Sequence, residues 1–211
     1  MGLERKEIVD GQYQFDCTSC GECCRGDIEI RLNLNDLQKM VRHLGLQNAG
    51  ELFDEDLIDL VPQEGGGYRV TIQFRENLIK FCPFLENRLE NDGELKGFCQ
   101  LHPYQKPLVC KMAPVGREIE FPDMERWFFS EPIEGCPGCR SAKSCDLKSD
   151  LENWKDELEA ERQYYQVLVL MLNNGMSSED YLIFHSGIQF DHDIEEYLSE
   201  CYLKMRSSCD A

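Results

Sequence analysis

Four cysteines lie within eight residues near the start of the chain, in the segment Cys-Thr-Ser-Cys-Gly-Glu-Cys-Cys at 17–24. Two Cys-x-x-Cys steps share Cys20, and such a step can turn both of its thiols toward a single metal ion. Gly21 gives this turn backbone freedom, including positive φ, and leaves little bulk beside an ion. The side chains of adjacent residues usually diverge. We therefore expect Cys23 and Cys24 to serve different metals, or one of them to pack in the interior.

Further ligands must come from later in the chain. Thiolate is a soft ligand that suits zinc and iron–sulfur clusters, and both kinds of site commonly use four thiolates. Eight cysteines are enough for two four-ligand sites, or for one cluster and one zinc ion, and the sequence leaves this partition open. The candidate metal ligands are Cys17, Cys20, Cys23, Cys24, Cys82, Cys99, Cys110 and Cys136. His102 is an alternative ligand, although a hydrogen-bonded loop histidine is the commoner role.

Composition narrows the class of protein. The chain has 211 residues, 12 cysteines and a net charge of −18. This length can bury a sizeable core without disulfide staples. The acidic excess opposes binding to nucleic-acid phosphates and to anionic membranes, since both attract clustered Lys and Arg. The first residues contain no apolar secretory signal. We expect a cytoplasmic chain with reduced thiols, whose cysteines bind metal ions or act catalytically.

Basic side chains accompany the cysteine segments of this acidic chain. They can offset the negative charge of thiolates and lower thiol pKa values. An alternative of equal weight is that these basic side chains serve only to keep the cysteine segments soluble. The residues concerned are Arg25, Lys80, Lys96, Lys106 and Lys111.

Hydrophobic patterns in the first half predict both helix and strand. Alternation at 28–32 and again at 68–74 is typical of half-buried strands. Asn35 is expected to cap a helix that ends before Gly45. The acidic segment 46–61 has apolar residues at helical spacing. The first half is therefore expected to mix short strands with helices.

A hairpin is expected to bring two of the cysteines together. The polar stretch 86–94 resembles a turn, and the chain then returns through 95–101. This would place Cys82 and Cys99 on neighbouring strands, close enough to share a metal. The proline-containing segment 103–114 is expected to form a bent loop with at most a short helix.

Helix signals dominate after Cys145. Ser149 with Glu152 forms a potential capping box, and Ser177 with Asp180 forms another. Asn-Asn-Gly at 173–175 is expected to end the first of these helices, and a further apolar repeat predicts a helix near the C-terminus. Cys201 is expected in the core, whereas surface or capping roles are expected for His185 and His192.

The predicted fold class is α+β. A small cysteine-rich sheet and loop core is expected to bind metal at 1–147. A helical C-terminal extension at 148–211 is expected to pack on it. Whether the extension recognises a protein partner is left open.

The order of the cysteine motifs resembles the YkgJ-type cysteine-cluster family, also called CxxCxxCC proteins. Members are largely bacterial and are described as zinc- or iron-chelating proteins. The resemblance implies that the same eight cysteines form the metal-site set, and it does not cover Cys139 or Cys145. It spans about residues 13–140 and rests on Phe15-x-Cys17-x-x-Cys20-Gly21-x-Cys23-Cys24, Cys82-Pro83-Phe84-Leu85, Cys99-x-x-His102, Lys106-Pro107-x-x-Cys110 and Gly135-Cys136-Pro137-Gly138.

This chain departs from the family pattern in two places. His102 stands where the family often has an aromatic residue, and Lys106 stands where it often has arginine. The second departure weakens any role that needs a bidentate guanidinium group.

Three functions are therefore weighed. Chelation of zinc or iron, with an iron–sulfur cluster as one form, agrees best with the soft ligands and their spacing. The family is also similar to the cysteine-rich part of flagellin lysine-N-methylases, which implies an iron–sulfur-dependent protein-modifying enzyme as an alternative. The chain is short for that enzyme and has no G-x-G-x-x-G motif after a strand. A thiol–disulfide redox protein is the second alternative, although no thioredoxin-like βαβ context surrounds the Cys-x-x-Cys steps.

Overall fold

The computed structural model describes residues 5–26, 28–76, 78–91, 93, 95–120 and 124–209. Its helices are α1 (Leu34–Leu44), α2 (Gly50–Asp54), α3 (Leu108–Met112), α4 (Leu147–Asn173), α5 (Ser178–Ser186) and α6 (Ile194–Cys209). Its strands are β1 (Arg5–Glu7), β2 (Gln12–Gln14), β3 (Arg31–Leu32), β4 (Ile58–Pro62), β5 (Tyr68–Ile72), β6 (Arg75–Glu76), β7 (Lys80–Phe81), β8 (Leu85–Leu89), β9 (Leu95–Cys99), β10 (Val115–Glu120), β11 (Met124–Ser130) and β12 (Ser144–Asp146). The mixture of small sheets with a helical C-terminal part confirms the predicted α+β class.

The strands form small antiparallel sheets. Two sheets have three strands, in the orders β1-β11-β10 and β3-β5-β4. The other pairs are β2 with β12, β6 with β7, and β8 with β9. The pairing of β2 with β12 returns the chain at residues 144–146 to residues 12–14, just before the cysteine cluster.

The start of α1 differs from the prediction by two residues. Asn33, not Asn35, is the cap, and its side chain accepts a hydrogen bond from the backbone N–H of Asp36 at 3.0 Å. The Asp36 carboxylate accepts in return from the N–H of Asn33, which completes a capping box. Asn35 lies inside the helix. Gly45 follows the helix with a φ of +71°, as predicted.

The helical interpretation of 46–61 is wrong for its second half. Helix α2 ends at Asp54, Asp56 has a positive φ of 54°, and β4 then begins at Ile58. Strand β4 pairs with β5 along its whole length, with Ile58 opposite Ile72. This non-local pairing overrides the helical spacing of the segment. Of the other predicted strand, 28–32, only Arg31–Leu32 forms β3.

Helix α4 begins earlier than predicted. Asp146 caps it, because its carboxylate accepts from the Ser149 N–H at 3.1 Å and from the Ser149 hydroxyl at 2.8 Å. The capping box of Ser177 and Asp180 at the start of α5 is confirmed. The predicted ends near Asn174 and Gly187 are also confirmed.

One hydrophobic core joins the two parts of the chain. Leu37 and Met40 of α1 belong to the same buried cluster as Val167 and Met171 of α4. Helix α4 therefore packs against α1 in this shared core. The division of the chain near residue 147 stays a prediction. In the described residues no helix combines the length and the apolarity needed to cross a bilayer.

His185 is buried, contrary to its predicted surface or capping role. Its Nδ1 lies 2.6 Å from the Tyr181 carbonyl oxygen, and its Nε2 lies 2.9 Å from the Tyr164 hydroxyl. A carbonyl can only accept, so Nδ1 carries the proton and Nε2 accepts from Tyr164. Burial lowers the pKa of His185 to about 4. The ring is therefore a neutral core residue.

Candidate metal centre

Five of the candidate ligands form one group of neighbouring thiols, which we call the five-thiol group. The Cys24 thiol hydrogen-bonds Cys23, and negative charge on Cys82 or Cys110 also acts on it. Charge on Cys99 acts on Cys82 in the same way. These residues come from a 3-10 turn, from the turn between β7 and β8, from the end of β9 and from α3. The members are Cys23, Cys24, Cys82, Cys99 and Cys110.

Two glycines position the turn that carries the first two of these thiols. Gly21 precedes the 3-10 turn Glu22–Cys24 with a φ of +73°, a conformation that glycine adopts without steric cost. The Cys24 N–H donates to the Gly21 carbonyl at 3.0 Å, and the Gly97 N–H donates to the Ser19 carbonyl at 2.8 Å. The cluster segment is therefore bound to β9, the strand that ends at Cys99.

Backbone hydrogen bonds place Cys82 beside Cys24. The Cys82 N–H donates to the Cys24 carbonyl at 2.8 Å, and the Gly26 N–H donates to the Lys80 carbonyl at 2.8 Å. Cys82 lies in the turn before β8, not on a strand, whereas Cys99 ends β9 opposite Leu85. The predicted hairpin is present, but residues 86–89, which were expected in its turn, belong to β8. The expectation that both cysteines lie on strands is right for Cys99 alone.

Charged side chains from α1 and α4 hold α3 in place. Asp36 accepts from the backbone N–H of Leu108 at 2.9 Å, and Lys39 donates to the Lys106 carbonyl at 3.1 Å. Glu157 binds Lys39 and Lys111, each at 2.6 Å. These contacts position Cys110. Local sequence patterns do not reveal these contacts, because Glu157 lies 118 residues from Lys39.

Burial makes most of the five-thiol group reluctant to ionise. It raises the pKa of Cys82 to about 11 and raises the pKa values of Cys99 and Cys110. The positive charge of Lys106 opposes this rise at Cys99 and Cys110. At Cys23 the hydrogen bond from Cys24 and the positive charge of Lys106 together lower the pKa to about 6, against the effect of burial. The positive charge of Lys106 thus acts on Cys23, Cys99 and Cys110 alike.

The remaining candidates, Cys17, Cys20 and Cys136, lie outside the five-thiol group. Cys17 is exposed, Cys20 is half-buried and Cys136 is buried. The thiol of Cys136 hydrogen-bonds that of Cys139, whose pKa is raised to about 12 by burial and by this contact. The Asp16 N–H donates to the Gly138 carbonyl at 3.0 Å, which places this Cys-x-x-Cys turn beside the start of the cluster.

Cys139 is a further candidate ligand because it contacts Cys136, although the family resemblance does not cover it. Its signal was the Cys-x-x-Cys spacing from Cys136. Cys145 instead donates from its thiol to the Phe15 carbonyl at 3.3 Å. His102 lies at the exposed surface. Its pKa is lowered by the part of the ring that is shielded from water and by the positive charge of Lys106.

The arrangement has the chemistry of a thiolate site without its geometry. Across the described part of the chain, no group of three or more Cys, His, Asp or Glu side chains is placed to hold one metal ion. The backbones that carry Cys24 and Cys82 are nonetheless hydrogen-bonded to each other. Soft thiols, here mostly half-buried, are the ligands that zinc and iron–sulfur clusters prefer. The donor set therefore fits such a metal, and coordination would require the side chains to rotate.

Comparisons with known proteins found no matching family model, no similar curated protein and no similar solved structure. The resemblance to CxxCxxCC proteins therefore stays a prediction from motifs.

Proposed function

We propose that this protein binds zinc or iron through cysteine thiolates, with the five-thiol group as its principal centre. The observation that carries the proposal is the convergence of cysteines from separate chain segments. The Cys82 N–H donates to the Cys24 carbonyl, and Cys24, Cys99 and Cys110 pack against the same core as Cys82. Buried thiols that are costly to ionise alone become good thiolate ligands once a cation compensates their charge. Four of the five could complete a tetrahedral zinc site or hold an iron–sulfur cluster.

The proposal also assigns a second, separate role to the Cys136 turn. Cys136 and Cys139 form a thiol pair next to the segment that leads into Cys17. With Cys17 and Cys20 this pair supplies four thiols. A second zinc ion is the simplest occupant of such a set. This partition assigns all eight candidates and adds Cys139.

A cytoplasmic location accompanies this function. Metal-binding thiols must stay reduced, and glutathione and thioredoxin maintain that state in the cytosol. All eleven cysteines whose side chains are described are free thiols, which agrees with a reducing compartment.

The test begins with protein purified without oxygen. Metal and acid-labile sulfide are counted per chain, and the visible absorption spectrum is recorded. Zinc without sulfide supports a mononuclear thiolate site, and iron with matching sulfide and broad absorption supports a cluster. Protein without metal, even after reduction and supply of zinc or iron, contradicts the proposal.

Matched cysteine variants then locate the centre. Cys82→Ser and Cys110→Ser should each lose the metal of the principal centre, because serine is a poor ligand for soft metals. Cys201→Ser is the control, since this half-buried thiol lies on α6 in the helical part. Equal metal content in all three variants would exclude the five-thiol group as the site.

A second candidate function is thiol–disulfide exchange. Two pairs, Cys23 with Cys24 and Cys136 with Cys139, have thiols in hydrogen-bond contact. Thiol titration before and after mild oxidation distinguishes the candidates. A redox protein loses two thiols per pair reversibly and contains no metal, whereas a metal protein keeps its thiols protected until a chelator removes the ion.

A further inference from the structure

A cavity of about 210 Å³ lies on the side of the helical part that faces the β3-β5-β4 sheet. It is bounded by the turn between β4 and β5 and by side chains of α4 and α5. None of the candidate cysteines lines it. Its volume is below the usual range for drug-sized ligands, about 300–1,000 Å³, so it suits a smaller molecule.

One wall of the cavity is apolar and partly open. Leu168, Val169 and Leu172 of α4 contribute to it, together with Leu32 of β3. Val169 is 43% exposed and Leu172 is 42% exposed, so apolar surface continues to the rim. This wall can bury the hydrocarbon part of a ligand and release water from both surfaces.

The opposite wall contains two buried donors without a partner. Nε of Arg69 and Nε2 of Gln63 are both shielded from solvent and make no hydrogen bond. Buried donors of this kind are rare in native proteins, because an unmade hydrogen bond destabilises the folded state. The same two side chains also bind each other: Nη1 of Arg69 donates to Oε1 of Gln63 at 2.8 Å. Both atoms have almost no accessible surface, so an acceptor in the cavity reaches them only once the Arg69 and Gln63 side chains rotate toward it.

The charge beside these donors favours an anion. Arg69 and Arg31 both pair with Glu29, Arg31 through Nε at 2.8 Å. Two guanidinium groups therefore share one carboxylate, so these three side chains together carry one net positive charge. Arginine suits carboxylate recognition because its donors match the geometry of that group.

Glycines keep the cavity open. A Cβ atom at Gly67 would lie 2.7 Å from the Tyr181 hydroxyl oxygen, and one at Gly66 would lie 3.0 Å from Cδ1 of Leu172. Both residues have positive φ, so side chains are disfavoured there by backbone and space together.

We propose that this cavity binds a small monocarboxylate with an apolar body. On binding, the Arg69 and Gln63 side chains rotate so that the carboxylate accepts hydrogen bonds from Nε of Arg69 and Nε2 of Gln63, and the hydrocarbon part lies against Leu168 and Leu172. The site is independent of the cysteine centre in its residues and in its chemistry.

Calorimetry and proton–nitrogen NMR test this with phenylacetate and hexanoate as probes, at about 0.15 M salt to screen long-range repulsion from the acidic surface. We expect saturable binding of at least one probe, with a Kd of about 1 mM or below. Amide signals of Gly66 and Gly67 should shift. Phenylacetamide, the uncharged analogue, should bind at least about tenfold more weakly, since hydrogen bonds to charged groups contribute about 1.5–3 kcal/mol.

Two variants address the donors separately. Arg69→Met and Gln63→Leu should each lower the affinity for the bound probe by about tenfold. Arg126→Met is the matched control, because Arg126 is an exposed arginine of β11 that pairs with Glu118. Gln63→Leu keeps the Arg69–Glu29 pair and serves if Arg69→Met fails to fold.

Absence of saturable binding for both acids would overturn the proposal. The proposal would also be overturned if both variants bound the probes as tightly as the wild type, or if phenylacetamide bound as tightly as phenylacetate. Metal content is recorded for every variant and should stay unchanged. A failure here would therefore leave the metal-binding proposal untouched.

Discussion

Gly21 and Gly97 pack backbone against backbone at the centre of the cysteine site. A Cβ atom on Gly97 would lie 2.5 Å from Cα of Gly21, and a Cβ atom on Gly21 would lie 2.9 Å from Cα of Gly97. Neither contact can be relieved by rotating a side chain. The pair of glycines therefore sets the distance between the cluster turn and β9, and so between Cys23–Cys24 and Cys99.

Gly97→Ala should push the cluster turn away from β9. Overpacking of a well-packed contact costs about 1–3 kcal/mol, so we expect a loss of this size in the free energy of unfolding. Metal affinity should fall as well, because the thiols of the two segments move apart. Urea titration and metal titration measure the two effects.

Gly65→Ala is the matched control for this substitution. Gly65 lies in a turn, has open space around its Cα and does not have the left-handed φ of its neighbours. A surface change of this kind usually alters stability by less than about 0.5 kcal/mol. Equal effects of the two alanines would contradict the importance of the Gly21–Gly97 contact.

Lys39→Met should destabilise the fold and the position of Cys110 together. Asp36 is fully buried, and Lys39 contacts it at 2.9 Å. Burial opposes the charge on Lys39, but Asp36 and Glu157 together raise its pKa, so the lysine remains a cation. Removing one partner of a buried pair costs about 3–5 kcal/mol, because the other charge stays uncompensated.

The control is Lys155→Met, since Lys155 is an exposed lysine on α4 whose ion pair with Glu152 is long, at 4.0 Å. Exposed ion pairs contribute about 0–1 kcal/mol. The prediction is checked by measuring the thermal unfolding and the metal content of both variants. A Lys39 variant as stable as the Lys155 variant would show that the network is not needed.

The buried His185 should make stability depend on pH. Its pKa is lowered by burial to about 4 from an ordinary 6.5. As the pH falls below about 6.5, the unfolded chain gains a proton that the folded chain does not. Stability is therefore lost at about 1.4 kcal/mol per pH unit until about pH 4.

The difference between wild type and His185→Gln isolates this effect. Glu161, whose pKa is raised by burial to about 7, shifts stability in the opposite direction but is present in both proteins. The wild type should be the more stable at pH 7.5, and its advantage should shrink as the pH falls from 6.5 to 4.5. Urea unfolding at several pH values measures it. A pH-independent difference would contradict the neutral buried ring.

Thiol reactivity should follow burial in the metal-free protein. Cys17 and Cys23 are exposed, whereas Cys82 is only 7% exposed. Buried groups react only after local opening, so N-ethylmaleimide should modify Cys82 at least about tenfold more slowly. Peptide mass spectrometry with time gives each rate.

Added zinc extends the same experiment. It should protect Cys23 and leave Cys201 on α6 unchanged, because only the former belongs to the five-thiol group. Uniform rates at all cysteines would argue against the buried thiol arrangement.

Local features of the site could be predicted with good accuracy. The turn at Gly21 and the hairpin that leads to Cys99 depend on residues close in sequence, and both are present. The capping box at Ser177 is present for the same reason. Errors arose where several local partners compete. Asn33 and Asp146 cap their helices in place of Asn35 and Ser149, which are equally suitable by type.

Other features depend on contacts between distant segments. The segment before β4 has helical spacing, yet pairing with β5 turns its second half into strand. His185 occupies the core because Tyr164, 21 residues earlier, accommodates its ring nitrogen. Periodicity along one segment contains no information about either partner.

The sequence by itself determined the soft-ligand chemistry of this protein, its α+β composition and the turns that present Cys20, Cys23 and Cys24. These follow from residue type and from short-range backbone preferences. Only the tertiary structure decided which thiols are neighbours, since that depends on packing across long separations. It separated Cys82, Cys99 and Cys110 from the Cys136–Cys139 pair, and it placed Asp36 and Lys39 beneath the segment that leads to Cys110.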